Sequence, residues 1–346
     1  MVTTRRAVCE RRAKAAVAWF AGLFLLVQLA GGWLLDHAWL ALRFPTAARL
    51  LAHLDAQHRP ADIVLLGSSR FGLGLHGGRI AQVLSQGQPG CKPFVFNASI
   101  EAGDAISAEF MLDQMLARGC LPKLAVVEVS PESVNAWNQW MGFHVRRQMR
   151  WEDFPGWLMD LGRARQLTRV LGYRFTPLYV HRTHLWKAVA RHWAAEGPPQ
   201  AVANTDPEAL TWNEVLGMEP RMTRTRPAAW AMPDRNLRNY ATSGASAAAL
   251  IRMADKCRRH GIDVLLVGVP VTLPHRRLYR PEVETAFLAF VRQLTREHGC
   301  RFVDYRATLP DQLFWDNHHL FPEGCEAFSR KLAEEVLLEV WRSQRP

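Results

Sequence analysis

The sequence has no Cys-x-x-Cys pair, no second apolar run long enough to cross a membrane, no internal repeat and no long low-complexity tract. The missing cysteine spacing excludes a zinc ribbon or finger. The missing repeat and low-complexity tract exclude a solenoid and a disordered chain. RNA-recognition signatures and basic helices with heptads are also lacking, so the net charge of +11 is not read as a nucleic-acid footprint. Cysteine is scarce: Cys9, Cys91, Cys120, Cys257, Cys300 and Cys325. With Cys9 inside and an odd five exported, a full disulfide framework is not expected. Cys91 with Cys120, or Cys257 with Cys300, remain candidate pairs against free buried thiols.

The one long apolar run extends from Ala15 to Leu35, after Arg5, Arg6, Arg11, Arg12 and Lys14. About 20 residues at about 1.5 Å each span a hydrocarbon core. A basic flank stays cytoplasmic. The expectation is a cytoplasmic tail (1–14), an uncleaved single-pass anchor (15–35), a juxtamembrane linker (36–60) and a periplasmic or extracytoplasmic domain (61–346). Trp33 and Trp39 fit an outer interfacial belt.

Beyond residue 60 short apolar runs alternate with helical patterns. Asp62–Gly67 is a short apolar run, as expected of a buried parallel strand, and Phe94–Ser99, Leu124–Ser130, Val264–Pro270 and Arg301–Tyr305 read as further strands. Helical patterns lie near 79–84, 105–118, 245–260, 282–298 and 322–342. Such alternation predicts a three-layer α/β/α fold with a parallel sheet. A Trp- and Arg-rich segment at about 131–240 interrupts it and is read as a helical insertion. Its tryptophans are expected mostly to fill a small core.

Ligands of such sheets bind beyond the carboxyl ends of the strands. There lie Ser68 and Ser69, Gly103, Ser130, and, before the last helix, Asp316 and His319. A serine at a strand-to-helix turn is a poor nucleophile until a base takes its proton. Asp316-Asn317-His318-His319 supplies an imidazole with a carboxylate three residues away. His318 is the alternative base. The same histidine pair is a candidate metal site, disfavoured because no nearby Cys or third His stands with it. Arg70 reads either as a contact for an anionic substrate or as an ion-pair residue. Glu128 should pair with a basic neighbour, and Asp104 should cap the helix after Gly103.

On these residues the chain resembles the SGNH (GDSL-like) hydrolase superfamily. VLLGSSRFGLGL is similar to its first block, FNASIEAGD to its second and DNHHLFPEG to its last. The resemblance implies a flavodoxin-like domain, Ser69 as nucleophile, Asp316 and His319 completing a triad, and the N–H groups of Ser69 and Gly103 as an oxyanion hole. It implies no cofactor and no metal. The usual third block, with its oxyanion asparagine, is replaced by VEVSPESVN, where Asn135 is a candidate substitute whose position does not match. The whole is most similar to membrane-anchored proteins of envelope polymer acylation, the alginate O-acetyltransferases and the D-alanyl transfer protein of teichoic acid synthesis. That likeness implies a serine acyltransferase or esterase acting on envelope polysaccharide or glycolipid beside a membrane-bound O-acyltransferase partner. The alternative is a non-catalytic binding or assembly subunit of the same fold.

Overall fold

The computed structural model describes residues 2–88, 90, 92–137, 144–163, 165–193, 211–216 and 237–343, with backbone alone for 2–9 and 163. The chain forms two units: an anchor unit, named for the expected role of its first helix, Met1–Pro45 with Met149–Pro198, and a sheet unit, Thr46–Gln148 with Pro199–Pro346. Half of the insertion expected at 131–240 therefore belongs with the N-terminal helix.

The strands are β1 Ile63–Leu66, β2 Val95–Asn97, β3 Leu124–Val129, β4 Asp263–Gly268 and β5 Arg301–Asp304. Among the described residues the helices are α1 Val2–His37, α2 Leu40–Arg43, α3 Pro45–Ala56, α4 Ser69–Gly74, α5 Gly77–Gly87, α6 Ala105–Leu116, α7 Pro131–Val134, α8 Val145–Gln148 and α9 Phe154–Arg163. They continue with α10 Leu167–Phe175, α11 Pro177–Val180, α12 Arg182–Trp193, α13 Trp212–Val215, α14 Ala245–Arg259, α15 Leu273–Arg276, α16 Pro281–His298, α17 Pro322–Leu332 and α18 Leu338–Ser343.

In the sheet unit all four strand pairings are parallel, in the order β2-β1-β3-β4-β5. Parallel strands need crossovers, and the helices that make them cover both faces. This is why β1 and β3 are wholly buried rather than alternating. On one face Ile63, Leu65, Val126, Leu265 and Val267 pack with Phe328, Leu332, Leu337 and Trp341 of the C-terminal helix. Side chains alternate across a strand, so Val64, Ala125, Val127 and Leu266 point the other way. They too are buried, and α6 touches β1 and β3 while α14 touches β4. Burying each such Leu, Val or Phe contributes roughly 1.5–3 kcal/mol. Strand order reverses direction between β1 and β3, and a doubly wound sheet opens its binding crevice at such a point.

Cys120, Cys257 and Cys300 are free and buried, and Cys325 is free and half-buried. The candidate bridge between Cys257 and Cys300 is not formed; burial pushes these thiols up to about 12 and about 11. Cys91 and the side chain of Cys9 lie outside the described residues.

In the anchor unit, α1 holds a stretch, Glu10–His37, long and apolar enough to cross a membrane. Just past its apolar run Asp36 is buried between two guanidinium groups. Arg43 Nη1 donates to Asp36 Oδ1 at 3.0 Å, and Arg174 Nη1 donates to the same oxygen at 3.1 Å. Arg174 Nη2 is paired with Asp36 Oδ2, and Arg174 Nη1 also donates to the Met149 carbonyl. Arg174 belongs to α10, so this triad ties the insertion to the end of α1. Burial holds Arg43 below the usual arginine range in spite of Asp36.

Removing one partner from a buried ion cluster leaves the others uncompensated, at about 3–5 kcal/mol. Asp36→Asn should therefore lower the unfolding midpoint of the detergent-solubilised protein and speed tryptic cleavage between residues 165 and 193. Unchanged cleavage and midpoint would mean that the triad does not hold the insertion.

Candidate active site

The turn after β1 is built on Gly67. A Cβ there would lie 2.6 Å from Glu128 Oε2 and 2.7 Å from Glu128 Cβ, so a side chain at 67 is excluded by its neighbour on β3. The Glu128 carboxylate lies against this turn. It accepts Ser68 N–H at 2.7 Å and Ser68 Oγ–H at 2.9 Å. Ser68 in turn caps α4 by accepting Arg70 N–H at 3.1 Å. Ser69 is thereby fixed as the first residue of α4, where a backbone N–H has no partner within its own helix.

His319 reaches this serine from the far end of the chain. Ser69 Oγ and His319 Nε2 are 2.8 Å apart, and His319 Nδ1 is 2.7 Å from Asp316 Oδ2. A carboxylate only accepts, so Nδ1 carries the proton and Nε2 is left to accept from Ser69 Oγ–H. Asp316 Oδ1 accepts the N–H groups of His318 and His319, each at 2.8 Å. Burial raises the Asp316 carboxyl, but the bond from His319 and the neighbouring imidazoles outweigh it and hold it well below the usual carboxylate range. The loop is pinched shut by Trp315 N–H donating to the His319 carbonyl at 2.8 Å and by the Phe314–Leu320 bridge. Thr272, after β4, donates to the Asn317 carbonyl through both N–H and Oγ1. Nothing in the local sequence marks Thr272 as the strut of this loop.

Arg70 is engaged by buried protein groups, which is the ion-pair alternative of its two readings. Its Nε is 2.9 Å from Glu128 Oε1, Nη2 donates to Ser130 Oγ at 2.6 Å, and Nη1 is 3.6 Å from Glu132 Oε2. The ion-pair reading of Glu128 thus finds its partner in Arg70. Glu132 accepts from Tyr279 Oη at 3.1 Å and is 2.6 Å from His275 Nε2. Burial raises Glu132, but His275 and Arg70 outweigh it and hold it far below the usual range. His275, Tyr279 and Glu132 were missed in the sequence, because the contacts that join them lie more than a hundred residues apart.

His318 is not the base that meets Ser69. Its ring packs 4.3 Å from His319 and 5.5 Å from His275, and burial holds it well below the usual histidine range. Among the described residues Asp316, His318 and His319 form the one group that brings metal-ligating atoms within 4.8 Å of each other. The sequence argument against a metal relied on there being no third histidine nearby, and His275 does stand beside the pair. Yet Asp316 already accepts three hydrogen bonds, from two backbone N–H groups and an imidazole, which a metal would have to break.

Gly103 stands close to the turn. A Cβ on it would lie 3.2 Å from the Gly67 carbonyl and 2.7 Å from that of Ile100. Its N–H, however, donates to the Ile100 carbonyl at 2.8 Å, in a turn where Ala102 takes φ +52°. Asn135 also has other work: its Oδ1 accepts Ala241 N–H at 3.1 Å and its Nδ2 donates to the Arg238 carbonyl. Asp104 caps α6 through the N–H groups of Ile106 and Ser107. Trp212 is a further residue without a sequence signal. It is buried against Gly72 of α4 and donates Nε1–H to the Ser99 carbonyl at 2.9 Å. Most other described insertion tryptophans do not fill a core as expected: Trp137, Trp151, Trp186 and Trp193 are exposed, and Trp157 is half-buried. Trp140 and Trp230 lie outside the described residues.

A protein-family model matches residues 230–340, less than half of the chain but including β4, β5 and the Asp316–His319 loop. No curated protein matches the sequence. Among solved structures the chain is similar to TesA, at 14% identity over 78% of this chain and 94% of that one, with a TM-score of 0.35. It is similar to a putative acylhydrolase from Bacteroides fragilis NCTC 9343, at 10% identity over 87% and 98% and a TM-score of 0.40. A GDSL-like lipase from Bacteroides thetaiotaomicron VPI-5482 is similar at 10% identity over 83% and 98%, with a TM-score of 0.35. What the site can do is therefore decided by its own residues.

Two predictions arise from the buried charges. Arg70→Met leaves Glu128 and Glu132 without their shared cation and should cost about 3 kcal/mol or more, read as a lower urea midpoint at neutral pH. Glu132 binds its proton less readily folded than unfolded, so its contribution is complete above its ordinary value of 4.5 and is lost as pH falls below that. Between about pH 6 and about pH 3 the wild type should lose stability more steeply than Glu132→Gln. Parallel pH curves would show that Glu132 does not carry the dependence.

Proposed function

We propose that the chain is a membrane-anchored serine enzyme of the SGNH type, an acyltransferase or esterase that works through an acyl-serine intermediate on acylated polysaccharide or glycolipid of the cell envelope. The observation that carries this reading is the unbroken order hydroxyl, imidazole, carboxylate from Ser69 through His319 to Asp316. The membrane-spanning length of α1 and its basic N-terminal flank support an N-terminus on the cytoplasmic side and a catalytic domain outside it.

The chemistry is set by the geometry. His319 Nε2 takes the Ser69 hydroxyl proton as Ser69 Oγ bonds to the acyl carbonyl carbon, and the carbonyl electron pair moves onto its oxygen. The imidazolium so formed is stabilised by Asp316. The Ser69 N–H at the start of α4 faces the developing oxyanion. Collapse expels the donor's alkoxide, which takes the proton back from His319. A sugar hydroxyl or water then attacks acyl-Ser69 by the same steps in reverse. For Gly103 to donate as well, its N–H must leave the Ile100 carbonyl when the acyl donor binds. A membrane-bound O-acyltransferase is the partner that would supply an acyl group to such a site.

A second reading, a non-catalytic binding or assembly subunit, is favoured by the engagement of the Gly103 N–H and of Asn135 elsewhere. A fluorophosphonate probe separates the two. The enzyme reading expects labelling of the folded protein that is abolished by Ser69→Ala and slowed about 1,000-fold or more by His319→Ala, with a loss of similar order for Asp316→Asn. Labelling that survives Ser69→Ala, or folded wild type that never labels, would end it.

A further inference from the structure

The anchor unit contains a surface that the catalytic reading does not use. Between Lys14 and Asp36 α1 has no charged residue, and Gln28 is its one strongly polar side chain. Gln28 is buried and its Oε1 accepts Leu178 N–H at 3.1 Å. One turn further on, a Cβ on Gly31 would lie 2.6 Å from Leu178 Cδ2, and one on Gly32 would lie 3.0 Å from Pro177 Cγ. Small residues let helices approach closely within a bilayer, and this two-glycine notch receives α11.

The depth of that contact is set by the chain itself. The run from Ala15 to Leu35 rises about 31 Å at about 1.5 Å per residue, the thickness of a hydrocarbon core. Gln28 lies on the order of 10 Å inside its outer end, and Gly31 and Gly32 lie closer to that end. A segment docked there cannot be in bulk water if α1 spans the membrane.

The neighbouring helices have the surface that such a depth requires. In α12 no residue is buried. Trp186 and Trp193 are 68% and 78% exposed, and with Val189 they recur at positions i, i+3 and i+7, one face of a helix. Tyr179 on α11 is 62% exposed. α12 is held to the unit from its other side, where His184 Nδ1 donates to the Leu42 carbonyl at 2.9 Å. Between residues 177 and 193 the chain has Arg182, Lys187 and Arg191 and no acidic residue. Exposed Trp and Tyr among Lys and Arg is the composition of a helix lying in a lipid interface, its apolar face about 5–10 Å into the headgroup boundary.

We propose that residues 177–193 form an interfacial platform embedded in the outer leaflet beside α1, with anionic phospholipid as its occupant. The proposal rests on the reading of α1 as a membrane anchor, and its test separates the two. The full-length protein is placed in nanodiscs of mixed phosphatidylglycerol and phosphatidylcholine carrying a diazirine in the upper acyl chain. Photolysis is followed by peptide mapping. Adducts are expected on α1 and on 177–193, the latter about tenfold above those on α16. Trp186→Glu with Trp193→Glu should return 182–193 to the α16 level while leaving α1 labelled. Replacing phosphatidylglycerol by phosphatidylcholine should lower the yield on 177–193 several-fold, and an unchanged yield would overturn the preference for anionic lipid. Adducts on α1 with none above background on 177–193 would overturn the platform alone and leave that surface to a partner protein. No adducts on either would overturn the anchor and the platform together.

Discussion

The pairing of β1 with β3 places the Glu128 carboxylate against the turn that carries Ser69, and most of the site depends on that contact. The carboxylate accepts two donors from Ser68 and meets the guanidinium of Arg70, so three consecutive residues of the turn are held by one buried charge and its counter-ion. A carboxylate in such a place is costly unless every lone pair is met. The absence of a side chain at Gly67 lets it approach, and Arg70 neutralises it. Rigidity at this turn is what an attacking hydroxyl needs, because a misplacement of about 1 Å can cost about 100-fold in rate.

From that pair the charges continue away from Ser69. Arg70 faces Ser130 and Glu132, and Glu132 faces His275 and Tyr279. The groups of this cluster bond to one another, and among the described residues the Ser69 hydroxyl forms its hydrogen bond with His319 Nε2. Burial disfavours a charge on His318 beside His319, so in the proposed reaction a His319 cation would have one carboxylate as partner and no second imidazolium as competitor. The Gly103 N–H stands apart from this readiness, since it is engaged with Ile100. On the proposed reading the hydroxyl and imidazole are arranged before an acyl donor arrives, and full oxyanion stabilisation would wait on a change in the turn at Gly103.

The anchor unit solves a different problem. A lone helix through a membrane constrains nothing beyond its own end. Here the Asp36 triad and the Gly31–Gly32 notch fasten short helices of the insertion to the C-terminal end of α1. Tryptophans that would suit a core are turned outward, because these short helices meet α1 and one another along narrow strips.

The amino-acid sequence alone determined where the strands lie, since a run such as IVLL has no polar side chain to present to water and must be covered on both faces. It also determined the spanning length of α1, and that Ser69, Asp316 and His319 lie where chain segments leave a sheet. Tertiary structure decided the rest. Strand order placed β1 beside β3 and so gave Glu128 its partner in Arg70, a choice that local patterns leave open because any nearby cation would serve. The joining of Glu132, His275 and Tyr279, the strut from Thr272, and the use of the Gly103 and Asn135 groups are hydrogen bonds between segments whose meeting no local pattern specifies. The division of the insertion between two units was invisible for the same reason: hydrophobic periodicity tells a residue to be covered and does not say by what.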